Sequence, residues 1–303
     1  MTTIVDNLVK PKADADYREA SRHRPLGFAI AGVGVVLAVI AFIGNLAAAG
    51  SAEPASTLAW AFGLNTLALG TIKVAIGAIL IGILVRLWLR VDGVTSALPA
   101  LQQSSGDRAP DGFGAVLQTH TTPRALPIHR MARTMWGPML GMGVMALVAG
   151  FFTSLWWAGE GGTTAAAWTQ GLQFLGEGLI LSGISFLLGS ILAALREGGG
   201  QVQESLGIPV YTLRMPKAAK AFVALMVTGL MISVAQFVVY LWTTTQAADV
   251  VAVNFAWLGP FRELGLGLLL SGIVLALGTI ANALGFQFER IRQICTVQLT
   301  RGN

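Results

Sequence analysis

Apolar positions along the chain fall into six long blocks, at 27–49, 64–86, 137–157, 169–195, 221–243 and 258–284. Short polar joints and two longer polar stretches part them. A helix needs ~20 predominantly apolar residues to cross ~30 Å of hydrocarbon, and every block meets that length. The pattern predicts an all-α integral membrane protein with six transmembrane helices. Residues 1–26 are polar and of mixed charge. They lack the apolar core behind a short basic start that marks a secretory signal peptide, so the first block is expected to be retained as a span.

The blocks repeat one another in pairs. Gly143, Met145, Val148, Ala149, Phe151, Leu155 and Trp156 of the third recur as Gly229, Met231, Val234, Ala235, Phe237, Leu241 and Trp242 of the fifth. The fourth and sixth match at Trp168/Trp257, Leu175/Leu264, Gly178/Gly267, Ser182/Ser271 and Gly189/Gly278. The second block joins more faintly, with Trp60, Gly63 and Leu64 set against Trp168, Gly171 and Leu172. The chain therefore reads as three copies of a two-helix hairpin, at 27–90, 136–195 and 219–285. Around them lie a tail at 1–26, loops at 91–135 and 196–218, and a tail at 286–303. Three hairpins of one orientation predict a ring with pseudo-threefold symmetry about the membrane normal, or alternatively a flat row. The outline resembles that of the mitochondrial carriers, but none of the odd blocks ends in their Pro-x-Asp/Glu-x-x-Lys/Arg motif, which excludes membership.

Charge orients the spans. The joints at 50–59, 158–167 and 244–256 contain no Lys or Arg, whereas the two tails and the segments 87–136 and 196–220, which take in the long loops, hold seventeen of the 20 basic residues. The positive-inside rule puts those four segments in the cytoplasm of a bacterium, with the chain in the cytoplasmic (inner) membrane. Trp60, Trp156, Trp157, Trp168, Trp242 and Trp257 then form a belt at the outer interface. The basic pI follows from this orientation and from contact with anionic lipid, so no nucleic-acid partner is expected and bound lipids are. The segments 117–135 and 201–216 mix apolar residues with Arg, His and Tyr, and are read as short elements on the inner leaflet.

Composition changes the picture further only by exclusion. The single Cys295 rules out disulfides and cysteine-based metal or iron–sulfur sites within the chain. His23, His120 and His129 all lie in cytoplasmic segments, so bis-histidine haem inside the bilayer is excluded. "REGGGQ" at 196–201 lacks the Lys-Ser/Thr of a phosphate loop and is read as a helix stop. Ser182, Ser185, Ser233 and Ser271 have no histidine base nearby. No catalytic constellation, metal site or cofactor is predicted.

What remains is a set of polar residues within the even blocks, where ionisable groups are costly. The repeat makes Asn65, Gln173 and Arg262 equivalent, with Glu263 one step on, Glu177 four and Lys73 eight. At ~100° per residue these share one face. Gly178, Ser182, Gly189, Gly267, Ser271 and Gly278 form a small-residue ridge on a neighbouring face, suited to close helix packing. At ~1.5 Å rise per residue from the tryptophan belt, Arg262 and Glu263 lie ~8 Å deep, Glu177 ~14 Å and Lys73 ~20 Å. Helical side chains lean toward the helix N-terminus, so Lys73 reaches outward to Glu177. A Lys73–Glu177 pair is expected, with an Arg262–Glu263 pair and Gln173 above it.

Such a network either fixes which hairpin sits beside which or lines a solute path. The absence of a soluble domain and of cofactor ligands favours a non-catalytic scaffold or accessory subunit, associated with other membrane subunits or with itself. A small-solute or ion transporter using the polar stripe is the alternative. A quinone-reactive anchor ranks last, for want of any embedded redox centre.

Overall fold

The computed structural model describes residues 23–48, 54–105, 127–205 and 217–301, all helical apart from the turns that join them. In chain order the helices are α1 (His23–Ala48), α2 (Pro54–Ser105), α3 (Pro127–Glu160), α4 (Thr163–Ser205), α5 (Lys217–Thr243) and α6 (Ala248–Arg301). Each contains a stretch long and apolar enough to cross a membrane. Most of the N-terminal tail, 106–126 and 206–216 lie outside the described residues.

Two turns are readable in chemical terms. Between α3 and α4, Gly161 and Gly162 take φ values of 71° and 91°, the left-handed region that a side chain disfavours. The Gly161 amide closes back on the Trp157 carbonyl at 2.9 Å, which ends α3 and reverses the chain. At the end of α5, the Thr243, Thr244 and Thr245 hydroxyls donate to the Tyr240, Leu241 and Trp242 carbonyls. The Leu241 and Trp242 carbonyls also accept the Thr244 and Thr245 amides, so the hydroxyls add to a tightened last turn and give the Tyr240 carbonyl a donor.

The even helices run past the predicted spans. α2 continues to Ser105, α4 to Ser205 through Gly198–Gly200, and α6 to Arg301. "REGGGQ" is thus helical and does not stop α4. Each glycine costs a helix only ~1 kcal/mol, which the cooperative backbone ladder on either side absorbs. Residues 127–135 likewise belong to α3 and form no separate surface element. Pro127 suits the first helical position, where its missing N–H has no role.

The hairpins pack in series. α1 lies on α2, α3 on α4 and α5 on α6; α2 also packs against α3 and α4, and α4 against α5 and α6. No substantial interface joins α1 or α2 to α5 or α6 among the described residues. Among the described residues these contacts do not close into a ring. The consequence is unequal burial. The α4 span is 89% buried, whereas the others range from 17% for α1 to 39% for α2. Ile180, Leu187 and Leu188 of α4 anchor the main apolar cluster, which Leu84, Leu147, Met226 and Leu269 complete from the neighbouring helices.

Close backbone contact holds each hairpin. A Cβ at Gly143 would come within 2.6 Å of Ile180 and 2.9 Å of the Gly176 carbonyl. One at Gly229 would come equally near Leu269 and the Gly265 carbonyl. In α1, Gly34 stands in the same relation to Ile72 and the Ala68 carbonyl, at 2.7 and 3.1 Å. Such approach stabilises the pairs, because dispersion contacts multiply as the axes draw together.

Candidate functional site: a three-hairpin ion cluster

Glu177 is buried near the middle of the most enclosed helix, and two cations reach it from the flanking hairpins. Lys73 Nζ of α2 donates to Oε1 at 2.8 Å, and Arg262 Nη2 of α6 donates to Oε2 at 2.8 Å. The carboxylate is 1% exposed, while the Lys73 and Arg262 side chains are 21% and 24% exposed. Arg262 also lays its guanidinium over the Phe174 ring, 3.8 Å from the centroid. That contact adds a π face to the carboxylate in compensating a cation only partly open to water.

The arrangement departs from the sequence expectation in its upper half. Arg262 turns to Glu177, and Glu263 is exposed without an ion pair to Arg262. Adjacent residues project about 100° apart on a helix, so neither can face the other while both keep helical geometry. Asn65 is exposed and stays out of the cluster, because hairpin 3 does not close over that side of α2. Gln173 is fully buried but bonds elsewhere: its Nε2 donates to the Gly150 carbonyl of α3 at 3.3 Å.

The small-residue ridge divides in the same way. Gly178 sits against Ser233 of α5, Ser182 is buried, and a Cβ at Gly189 would touch Ala132 at 3.3 Å. Its copy on α6 is open: Ser271 is exposed, and nothing lies within 4 Å of a Cβ at Gly267 or Gly278. The reason is serial packing, since α4 has a following hairpin to meet and α6 has none. The tryptophans lie near the ends of the helices, with Trp156, Trp168, Trp242 and Trp257 exposed and Trp60 and Trp157 half-buried.

Several polar contacts had no forerunner in the sequence reading. Gln236 of α5 donates to the Leu258 carbonyl of α6 at 2.8 Å, and the Tyr240 hydroxyl bonds Gln170 Oε1 at 3.0 Å. Tyr240 is itself packed between Phe174 and Phe255. A signal for them existed. Tyr240, Ser233 and Met226 recur every seven residues, the period at which a helix returns to one neighbour.

Chemically, the cluster is an ionic tie carrying one net positive charge. It contains no nucleophile–base pair, and its carboxylate is occupied at both oxygens. Comparison of the chain with known protein families, with curated proteins and with solved structures finds no match.

Proposed function

We propose that this chain is a non-catalytic multi-pass protein of the bacterial cytoplasmic membrane. It acts as a helical scaffold or accessory subunit of a larger assembly. In this reading three like hairpins span the bilayer with both termini and the long polar segments in the cytoplasm. Lipid and other membrane subunits are its partners. The observation that carries the reading is the state of Glu177: enclosed, with each oxygen committed to a different flanking hairpin. A group so placed fixes the order of hairpins, and removing it leaves buried charge unmatched. The broad apolar flanks, from Val33 to Leu46 on α1 and Leu264 to Leu284 on α6, supply the surfaces such a subunit offers.

The transport alternative draws on one specific observation. The Lys73 and Arg262 side chains keep 21% and 24% of their surface exposed, as cations bordering a solute path would. Liposome reconstitution separates the two readings. A scaffold leaves ion and solute flux at the level of protein-free vesicles, and the protein extracted in mild detergent retains membrane partners at fixed stoichiometry. Flux that Glu177→Gln abolishes, from protein recovered alone, overturns the scaffold reading.

A further inference from the structure

The even helices carry a seam of positions seven residues apart that the fold fills twice and leaves open once. Along α2 the seam is Gly63, Gly70 and Gly77, and a Cβ at these positions would meet Ser154, Leu147 and Leu140 of α3 in turn. Along α4 the aligned positions are Gly171, Gly178 and Ser185. Cβ atoms at the first two would meet Tyr240 and Ser233 of α5, and Ser185 is buried. The match of Gly143 to Gly229 sets Leu147 level with Ser233 and Ser154 level with Tyr240. One interface, in one register, is therefore used twice.

On α6 the seam continues as Pro260, Gly267 and Val274, and all three are exposed. The complementary strip is also unused once. Gly34 occupies in hairpin 1 the place of Gly143 in hairpin 2, which sets Ala31, Ala38 and Asn45 of α1 level with Leu140, Leu147 and Ser154. Ala31 and Ala38 are half-buried and Asn45 is exposed.

A separate observation on the same face calls for a polar partner. Glu263 lies between Pro260 and Gly267 and is exposed, ~8 Å below the outer tryptophans at 1.5 Å per residue. Its counterparts in the two filled seams, Thr66 and Phe174, are buried. A carboxylate facing hydrocarbon at that depth is costly, so a donor on whatever covers α6 would stabilise it.

We propose that a second copy of this chain covers the open seam. Its α1 lies antiparallel along α6, with Asn45 at Pro260, Ala38 at Gly267 and Ala31 at Val274. α1 opposes α6 in direction as α3 opposes α2, so the two copies keep the same orientation in the membrane. Asn45, whose amide now donates to the Ala41 carbonyl of its own helix at 2.9 Å, comes within a turn of Glu263. The contact is head-to-tail: it leaves one α1 and one α6 free, so copies add in a ring or a row. It rests on the membrane placement proposed above together with register and exposure, and stands whether or not other subunits are bound.

Disulfide trapping in membranes tests it. In a Cys295→Ser background, two differently tagged chains are co-expressed, one with Ala38→Cys and the other with Gly267→Cys, and then oxidised. A dimer carrying both tags is expected. Ala31→Cys with Val274→Cys should give the same, and the mismatched Ala31→Cys with Gly267→Cys, ~10 Å out of register, at least tenfold less. Gly267→Trp should lower trapping at the Ala31/Val274 pair at least tenfold. Three results overturn the proposal: no inter-copy bond at either matched pair; a bond formed inside one chain bearing both Ala38→Cys and Gly267→Cys, which would mean ring closure; or bonding only between two Gly267→Cys chains, which would mean a symmetric α6 contact.

Discussion

Replacing Glu177 by Gln keeps the shape of the side chain and removes only its charge, so the effect isolates the ionic tie. In the native protein each carboxylate oxygen takes one charge-assisted bond of 2.8 Å, one from Lys73 and one from Arg262. Glutamine offers a single acceptor, and its NH2 group opposes the second cation. Two positive groups then face each other across α4 with no counter-charge. Breaking a buried pair from one side costs roughly 3–5 kcal/mol, or two to nearly four orders of magnitude in the folded population. Lys73→Met should cost far less, about 1–2 kcal/mol, because a neutral Arg262–Glu177 pair survives it. Arg262→Met falls between, since it also gives up the Phe174 ring contact. The triple change Lys73→Met, Glu177→Leu and Arg262→Met should return stability to within about 1 kcal/mol of the native chain or raise it, as buried ion clusters replaced by apolar groups do. Titration with sodium dodecyl sulfate in mixed micelles, followed by circular dichroism, measures all four. A Glu177→Gln variant within 1 kcal/mol of native, or a Lys73→Met variant as unstable as Glu177→Gln, would refute the argument.

Other outcomes follow from single contacts. Gly143→Val should abolish a monodisperse peak on size exclusion, because its Cβ meets Ile180 on one side and the Gly176 backbone on the other; Gly278→Val, facing open space, should leave the peak unchanged. Tyr240→Phe removes the bond to Gln170 while keeping the aromatic packing, and should cost roughly 0.6–1 kcal/mol in the same detergent titration. Gly159→Cys, next to the α3–α4 turn, should react with a membrane-impermeant maleimide in intact spheroplasts, and Cys at Gly106 only after lysis. The reverse pattern would invert the proposed orientation.

Much of the site was legible because long apolar helices leave few places for a charge. Glu177, Lys73 and Arg262 stand out from apolar surroundings, and the repeat aligns them without any structural knowledge. The direction in which Arg262 turns was harder to read, because the choice between Glu263 beside it and Glu177 across a helix boundary depends on which helices are neighbours. That same unknown hid the exposure of Asn65, Gly267 and Ser271, whose aligned counterparts in α4 are buried. A repeated sequence specifies like local contacts, such as Gly143 on Ile180 and Gly229 on Leu269. Whether the series closes depends on the small rotation from one hairpin to the next, and no single residue encodes it. Helix length past the apolar blocks was missed for a different reason. Outside hydrocarbon, apolar content ceases to mark helix ends, and glycines such as Gly198–Gly200 do not outweigh an established helix.

The placement of Glu177 on the middle hairpin also sets a timetable for synthesis. If the chain enters a bilayer from its N-terminus, as the proposed function requires, Lys73 is in place before the carboxylate arrives, so the acid is never stranded without a counter-ion. A four-helix intermediate on that route would be electrically balanced at that level, and the surplus positive group, Arg262, would enter last, together with the hairpin whose arrival it secures.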